Sequence, residues 1–504
     1  MKKFVKLISL ILALLMVLAA FAACGKKDDE KDKNDDPKDT VAKTEDSGGT
    51  DDSTESETVA PITPIDWEGR EYRILGRESD TDWHRNWEIW RETLPDDIVG
   101  KSVWNRNQAL LEKFNIKVVG YLEKKEADAA TTSINSGTDL YDLIIMKPEA
   151  HHPHAMNGDL LDLYTLEYIN MEHNGWMPYP NKQLTMGGKL FYTTNKFLVQ
   201  DKNRSWSVFY NRDRAQELNL GYFEEWVFDG TWTIDKAIEI GKKATYDLDG
   251  QPGMGLEDHW GVAAASAYEF CSMAYGAGFR LSDHGPDGYP VLVGATDQMI
   301  SILDKCYQLR SDPTAFYMDQ DQGSIDWDYC TDHAFMAGRV VTLFVPISAI
   351  DNMRAKSDFT IGILPNPKYD EKQEQYHTVP NLGNGTLLSV PATVADPDFA
   401  GYALQAITEE SVDTTYYTYI EEKSKLQNAY DEDVATCMGL IFDGVVYDIV
   451  FISNIGQLGG LARDTLGANK VNNYSRLMSR FEGSANAYLE KIKDAYKAMD
   501  LEAS

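Results

Sequence analysis

The segment from residue 147 to 154 (KPEAHHPH) combines side chains that bind metals or polar ligands, since three histidines stand close to one glutamate. It follows an apolar run that predicts a buried strand. We expect Glu149, His151 and His152 to hydrogen-bond a ligand at the end of that strand. Imidazole and carboxylate also suit zinc, so a metal site and a solvated loop are the two alternatives. Pro153 argues against a regular helix here.

A second group of candidates follows the first predicted strand. Trp83 and Trp87 offer flat apolar ring faces among hydrogen-bonding neighbours. Such a surface suits a sugar, because its C–H faces stack on aromatic rings while its hydroxyl groups need donors and acceptors. Four residues apart, the two indoles would share one helical face. Core packing of both tryptophans is the alternative.

An aromatic side chain and a carboxylate recur farther along the chain. Tyr268 and Glu269 come directly after the apolar run GVAAAS, which predicts a strand. Ligands of open α/β sheets bind outside the carboxyl ends of the strands. Tyr268 and Glu269 are therefore candidate ligand contacts.

The segment from residue 247 to 258 (DLDGQPGMGLED) has the oxygen spacing of a calcium loop. Its oxygen-bearing side chains at positions one, three, five and twelve are Asp247, Asp249, Gln251 and Asp258. Pro252 stands where the loop normally has glycine, and position twelve is Asp rather than Glu. A structural calcium ion is one hypothesis and a plain helix-to-strand loop is the other. The sequence predicts no other cofactor.

Common catalytic motifs are missing. The sequence has no G-x-S-x-G, H-E-x-x-H, P-loop, dinucleotide fingerprint or C-x-x-C motif. Four cysteines, whose spacing does not fit zinc, leave disulfides and buried free thiols as alternatives: Cys271, Cys306, Cys330 and Cys437. We therefore do not expect an enzyme.

Residues 1–23 predict a secretory signal peptide. Three lysines precede an apolar run from Leu7 to Ala23, in which Ser9 is the one polar residue. These seventeen residues are fewer than the roughly 20 that span a hydrocarbon core, which argues against a transmembrane anchor. The following sequence, FAACG, resembles the bacterial lipobox, and this resemblance implies lipidation of Cys24. A plain cleavage site is the alternative.

Residues 24–62 predict a disordered acidic tether that follows the lipidated cysteine. From residue 25 to 60 the chain has 13 acidic and six lysine side chains, a net charge of −7, and no aromatic residue. The whole chain carries −32 and the signal peptide +3, so the remaining residues carry −28. This charge argues against a nucleic-acid partner and favours a neutral, hydroxyl-rich solute over a highly anionic one.

The rest of the sequence alternates short apolar runs with longer amphipathic ones. Strands are predicted at residues 70–76, 116–122, 141–146, 206–210, 261–265 and 340–345. Helices are predicted at residues 99–114, 126–136, 233–245, 297–309, 399–410 and 472–499. This order indicates an α/β fold with parallel sheets and helices on both faces.

Several of these segments, in this order, carry a resemblance. They are YDLIIM, HAMNGDLLDL, GGKLFY, SVFYNRDRAQELNL, DGTWTIDKAIEIGKKAT, AFMAGRVVTLFV and FTIGILPNPKYDEKQEQY. Together they resemble the carbohydrate-type, family 1 extracellular solute-binding proteins of bacterial ABC importers. The resemblance implies a periplasmic-binding-protein-like type II fold, with two lobes, crossing strands and a ligand cleft between the lobes.

The same resemblance implies where the lobes and the crossings lie. The N-terminal lobe is predicted at residues 63–197 and 381–430, and the C-terminal lobe at residues 198–380 and 431–504. Thr194 and Asn195 resemble the first crossing, and Asn384 lies where the chain returns between the lobes. It also places a ligand-stacking segment at Tyr268 and an acidic calcium loop where Asp247 begins.

The resulting hypothesis is a monomeric, lipid-anchored receptor on the outer face of the cell membrane. It would bind a sugar or oligosaccharide by lobe closure and deliver it to ABC permease subunits. The alternatives are a receptor for a peptide or another polar solute, a surface glycoside hydrolase or lyase, and an adhesin without a small ligand.

Overall fold

The computed structural model describes residues 60–80, 85–251, 253–255, 257–323, 329–381, 385–426, 429–462 and 466–502. All of them belong to one compact unit. A search of these described residues finds no helix whose length and apolar character would let it cross a membrane.

The strands of the described chain are short, and most of their residues are buried. In chain order they are β1 Arg70–Arg77, β2 Ile116–Glu123, β3 Leu143–Met146, β4 Trp206–Asn211, β5 Trp260–Ala264, β6 Ser282–His284, β7 Pro290–Leu292, β8 Phe316–Met318, β9 Val340–Pro346, β10 Ile361–Leu364, β11 Leu387–Ser389, β12 Lys425–Leu426 and β13 Ala429–Tyr430.

The α-helices range from single turns to one long terminal helix. They are α1 Ile98–Phe114, α2 Glu126–Asn135, α3 Pro148–Met156, α4 Pro178–Leu184, α5 Val199–Asn203, α6 Arg212–Glu217, α7 Phe223–Phe228, α8 Ile234–Ala244, α9 Ala267–Gly276, α10 Asp297–Arg310, α11 Ile350–Lys356, α12 Pro397–Ser411, α13 Tyr417–Lys423, α14 Glu432–Asp443, α15 Ile449–Ile452, α16 Leu458–Leu461 and α17 Tyr474–Glu502.

The first lobe is built on a four-stranded sheet with the order β11-β3-β1-β2. Strand β1 is parallel to both β2 and β3, as the alternation of strands and helices predicts. Strand β11 returns from much later in the chain and pairs antiparallel with β3. The prediction of a parallel sheet is therefore wrong at this edge, where the edge strand β11 comes from a distant part of the chain and runs antiparallel.

The second lobe is built on a five-stranded sheet with the order β10-β4-β9-β5-β8. Strands β9, β5 and β8 are parallel, whereas β4 is antiparallel to both of its neighbours. The amino end of β4 therefore lies beside the carboxyl end of β9, where Trp206 pairs with Pro346. This register brings the segment before β4 and the loop after β9 together at the same end of the two strands.

Two glycines let the loop after β1 lie flat on the first sheet. A Cβ atom at Gly76 would come within 2.3 Å of Ile89 Cδ1, and one at Gly120 would come within 2.9 Å of Trp90 Cβ. Such distances are far below van der Waals contact, so larger residues would push the loop away. The two glycines therefore allow Ile89 and Trp90, which follow Trp87 in this loop, to pack closely on the sheet.

The predicted positions of the main helices and strands agree with the structure, and two local predictions are wrong. Residues 148–156 form helix α3, although Pro153 was expected to prevent it. Pro148 occupies the first turn, where a missing N–H costs nothing, and the helix continues through the second proline. Trp87 lies in a segment of turns rather than on a helical face.

Helix α17 packs on both lobes. Its Tyr496 ring lies 5.2 Å from the ring of Phe191, which precedes the crossing predicted at residue 194, and 6.4 Å from the ring of Tyr289, in the β6–β7 hairpin. Lys493 adds an ion pair to Asp287 in that hairpin at 2.6 Å. The chain end predicted as part of the C-terminal lobe is therefore also anchored beyond it.

Three buried histidines contribute to the change in the protein's stability with pH. His151, His152 and His377 each have a pKa lowered to about 4, mainly because burial disfavours the charged imidazolium. Neither ring nitrogen of His152 has a hydrogen-bond partner among the described residues. Its ring instead packs on Tyr488 of α17, with the ring centres 5.8 Å apart.

We expect each of these three histidines to lower the free energy of unfolding as the pH drops from 6.5 towards 4. In this range the unfolded chain binds a proton at each of these histidines and the folded chain does not, which costs about 3 kcal/mol per histidine by pH 4. The His152→Leu variant should lose less stability on acidification, because it removes one such site without breaking a hydrogen bond. Urea unfolding at pH 7 and pH 4.5, followed by tryptophan fluorescence, measures this difference. The exposed His284→Leu is the control, and an unchanged pH response in His152→Leu would contradict the assignment.

Candidate functional site

A cavity of about 380 Å³ opens between the two lobes, and we call it the cleft cavity. Its lining comes from the loop after β1, the start of α1, the segment before β4, the residues after β9, and helix α13. These residues are Trp87, Arg91, Asp97, Val99, Asn203, Arg204, Ser348, Asp351, Asn352, Tyr419 and Lys423.

The first wall is fixed by the end of β1. The amide of Arg77 donates to Asn86 Oδ1 at 2.9 Å, and the amide of Asn86 donates back to the Arg77 carbonyl at 3.0 Å. This reciprocal pair closes the base of the loop. Trp87 follows directly, and its indole lines the cavity although it is only 8% exposed and packs in a hydrophobic cluster, as the core-packing alternative predicts.

The second wall follows from the antiparallel pairing of β4 and β9. The amide of Ile347 donates to the Ser205 carbonyl at 3.0 Å, just beyond the paired strands. The guanidinium of Arg204 donates to Ser348 Oγ at 2.9 Å. Arg204 is only 1% exposed, so its charge is held at the cavity with little access to bulk solvent.

A chain of hydrogen bonds crosses the floor of the cavity. Trp87 Nε1 donates to Gln200 Oε1 at 2.9 Å, and Asn203 Nδ2 donates to the same oxygen at 3.3 Å. The hydroxyl of Tyr419 donates to Asn203 Oδ1 at 2.9 Å. Gln200 therefore fixes the indole from one lobe and, through Asn203, the phenol from α13.

A buried carboxyl group lies behind Trp87. Burial raises the pKa of Glu88 to about 7, against hydrogen bonds from Asn86 Nδ2 and the Gln200 amide, each 3.3 Å from Glu88 Oε1. Arg106 is also buried, which lowers its pKa to about 9, and it donates to the Glu88 carbonyl at 2.7 Å. Glu88 and Arg106 therefore hold the loop in place and are not among the residues that line the cavity.

Three of the charged side chains that line the cavity form ion pairs or hydrogen bonds within the protein. Lys423 forms an ion pair with Asp351, while burial lowers its pKa. Asp97 accepts the Gly100 amide at 2.6 Å and so caps the start of α1. With an indole, a phenol and fixed amide and guanidinium donors, the cavity suits a polar ligand that has an apolar face.

Among the ligand contacts predicted from the sequence, the structure brings Trp87 to this cavity. Glu149 is exposed on the first turn of α3. His151 is fully buried, where it contacts Ser389 Oγ and the carbonyls of Met146 and Leu387. His152 packs under α17 as described above. These three residues therefore belong to the first lobe's interior and surface.

The candidates at the crossing and in the second lobe also lie outside the lining. Asn195 is fully buried and donates to Thr408 Oγ1 at 2.8 Å. Glu269 is buried in the capping box of α9, where Oε2 accepts the Ser266 amide and hydroxyl, and burial raises its pKa to about 8. Tyr268 is half-buried on the same turn. Ligand binding by these residues stays a prediction.

Two further predicted contacts, Trp83 and Asn384, lie outside the described residues. The four cysteines that might have paired are all buried free thiols: Cys271, Cys306, Cys330 and Cys437.

Sequence reasoning missed most of the lining. Asn203 and Arg204 precede a strand, whereas ligands of open α/β sheets are expected at residues that follow strands. The antiparallel orientation of β4 reverses that rule, and the strand pattern alone does not reveal it. Ser348 and Asp351 do follow a predicted strand, so the same rule, applied to β9, would have found them.

The predicted calcium loop brings three carboxylates together. One oxygen from each of Asp247, Asp249 and Asp258 lies within 4.8 Å of the others. Asp258 already accepts the amides of Leu248 and Gly255, at 2.8 and 2.7 Å. Carboxylate oxygens are the ligands that calcium prefers. Gln251 is exposed, and calcium binding here stays a prediction.

Comparison with known proteins finds solved structures that share this fold. No protein-family model matches the sequence, and no curated protein matches it. The galacto-N-biose-/lacto-N-biose I-binding protein of the ABC transporter from Bifidobacterium longum, in complex with lacto-N-biose, is similar in structure with a TM-score of 0.54 and 15% identity, over 85% of this chain and 98% of that one. The chain has the same two-lobed fold.

Two other solved structures are similar over most of their length. A cyclo/maltodextrin-binding protein complexed with maltotetraose has a TM-score of 0.51 and 15% identity, over 86% of this chain and 97% of that one. M. tuberculosis UspC has a TM-score of 0.51 and 14% identity, over 83% and 99% of the two chains. The two-lobed α/β architecture expected from the sequence is thereby confirmed.

If calcium occupies the acidic loop, millimolar calcium should raise the unfolding midpoint of the purified protein, since an ion bound only by the folded state stabilises it. Differential scanning calorimetry with calcium, magnesium or EDTA measures the shift. Asp249→Asn should abolish the response, because Asp249 contributes one of the three converging carboxylates. Asp283→Asn, an exposed acid elsewhere, is the control, and an equal midpoint in calcium and EDTA would contradict the prediction.

Proposed function

We propose that this protein is the substrate-binding protein of an ABC importer and that it binds a sugar or oligosaccharide in the cleft cavity. The observation that carries the proposal is the cavity itself, whose lining combines Trp87 from one lobe with Arg204 and Ser348 from the other. An indole beside fixed hydrogen-bonding groups suits a saccharide, which has apolar C–H faces and hydroxyl groups.

Ligand binding would favour the closed arrangement of the lobes. A ligand that contacts both walls has a higher affinity for the closed state and shifts the population towards it. The permease would then recognise the closed form at the outer face of the membrane. The protein carries out no chemistry in this proposal, and the likeness to solved sugar-binding proteins supports a binding role.

Calorimetric titration with a panel of neutral and acidic saccharides tests the proposal. The wild-type protein should bind at least one of them, and Trp87→Ala should weaken that binding roughly 10-fold or more, through lost stacking area. Small-angle scattering of the wild-type complex should show a smaller radius of gyration.

The control is Trp226→Ala, which removes an indole that packs on Phe223 in the second lobe. It should leave the affinity unchanged. A lack of heat with every saccharide, together with saturable binding of a peptide, would replace the proposed substrate class.

We also propose that Cys24 carries a lipid anchor and that the acidic residues after it act as a spacer. Two acyl chains on one residue are enough for stable attachment to a bilayer. Expressed with its signal peptide in a Gram-positive host, the wild-type protein should partition into the detergent phase of Triton X-114. Cys24→Ala should shift it to the aqueous phase, and wild-type protein found only in the aqueous phase would refute the anchor.

A further inference from the structure

A fully buried carboxyl group, Glu88, lies where the loop after β1 meets the two stretches of chain that connect the sheets. Glu88 Oε1 accepts the amide of Gln200, on α5, in the stretch that leads to β4. Asn86 Nδ2 donates to the same oxygen, and it also donates to Thr386 Oγ1 in the stretch that returns to β11. The two neighbours of Trp87 are therefore bonded to both connections between the lobes.

Glu88 has few hydrogen-bond partners for a buried acid. The donors to Oε1 are both 3.3 Å away, and Oε2 has no partner among the described residues. A buried carboxylate without close donors is costly. Burial accordingly raises the pKa of Glu88 to about 7, so its carboxyl group exchanges a proton close to neutral pH.

Two cations lie near this carboxyl group. Arg106, on α1, donates to the backbone carbonyl of Glu88 at 2.7 Å, and its charge opposes the rise in pKa that burial causes. Lys202, on α5, forms its ion pair with Asp201 at 3.2 Å. In the part of the chain that the structure describes, neither cation forms an ion pair with Glu88. The uncharged, protonated form of Glu88 therefore suits this lobe arrangement.

Lobe opening would change the surroundings of Glu88. The loop that carries it is fixed to the first sheet by the reciprocal pair of Arg77 and Asn86, whereas Gln200 lies on the stretch that leads to the second sheet. Separating the walls of the cleft cavity would draw the Gln200 amide away from Glu88 and admit water. A hydrated glutamate has a pKa of roughly 4.3, so the open state would hold this proton more weakly.

We infer that Glu88 is a positioning residue for ligand binding and that a proton on its carboxyl group stabilises the lobe arrangement that forms the cleft cavity. The inference rests on the proposed saccharide-binding function and adds a regulation of that site by pH. The open state loses the proton above roughly pH 4.3, whereas the closed state keeps it up to about pH 7. Affinity should therefore fall as the pH rises through this range and level off above it.

Calorimetric titration at pH 5.5, 6.5 and 8 tests the inference. The probes are neutral tetrasaccharides of glucose, galactose, mannose and xylose, whose charge does not change over this range. The three buried histidines, with pKa values of about 4, also stay uncharged there. The wild-type protein should bind a probe about 10- to 30-fold more tightly at pH 5.5 than at pH 8.

Glu88→Gln keeps an acceptor oxygen and cannot ionise. At pH 8 it should bind the probe at least about 10-fold more tightly than the wild type, and its affinity should change little with pH. A merely structural role for Glu88 predicts weaker binding instead. The matched control is Glu126→Gln, because Glu126 is a buried acid on α2 whose pKa burial also raises. This variant should keep the wild-type pH profile.

The ligand-free protein gives a second measurement. At pH 8, small-angle scattering of Glu88→Gln should show a smaller radius of gyration than that of the wild type, because the uncharged side chain favours the closed arrangement. The difference should shrink at pH 5.5.

Three titration results would overturn the inference and leave the saccharide-binding proposal intact. They are equal wild-type affinities at pH 5.5 and pH 8, an unchanged pH profile in Glu88→Gln, and weaker binding by Glu88→Gln at pH 8. If no tetrasaccharide bound, the scattering comparison would decide. Equal radii of the two proteins at pH 8 would then overturn the inference, and a smaller radius in Glu88→Gln would support it.

Discussion

The site depends on one constraint, which is that the buried polar segment between the two lobes must find its hydrogen-bond partners inside the protein. Lys202 donates to Thr194 Oγ1, the Asn195 carbonyl and Asp201 at 2.6, 3.0 and 3.2 Å, and Tyr447 donates to Asp201 at 2.6 Å. Burial lowers the pKa of Lys202, and its acidic neighbour opposes that shift. A buried charge without such partners would destabilise the fold by several kcal/mol.

This buried segment also organises the cleft cavity. Gln200 and Asn203, on the same stretch of chain as Lys202, hold Trp87 and Tyr419 by their side-chain amides. The crossing between the lobes and the orientation of the two rings are thus parts of one network. A change in lobe angle would strain these bonds, which gives a physical route from lobe movement to ligand contact.

Hydrophobic periodicity was enough to predict the helices and strands and the α/β class, because the lobes bury strongly patterned segments. It did not predict strand direction, so Arg204 was missed at the reversed β4. It also did not predict side-chain orientation. The strand-end pattern that marked His151 and Glu269 as ligand contacts also occurs at polar residues that are buried inside a lobe.

A crystal structure of the protein with the saccharide that binds most tightly tests the central claim most directly. The account predicts the sugar in the cleft cavity, with one ring face on the indole of Trp87 and contacts to Arg204 from the other wall. A sugar bound elsewhere would contradict it. One such place is the second interlobe cavity of about 420 Å³, which Tyr179, Arg280 and Tyr447 help to line.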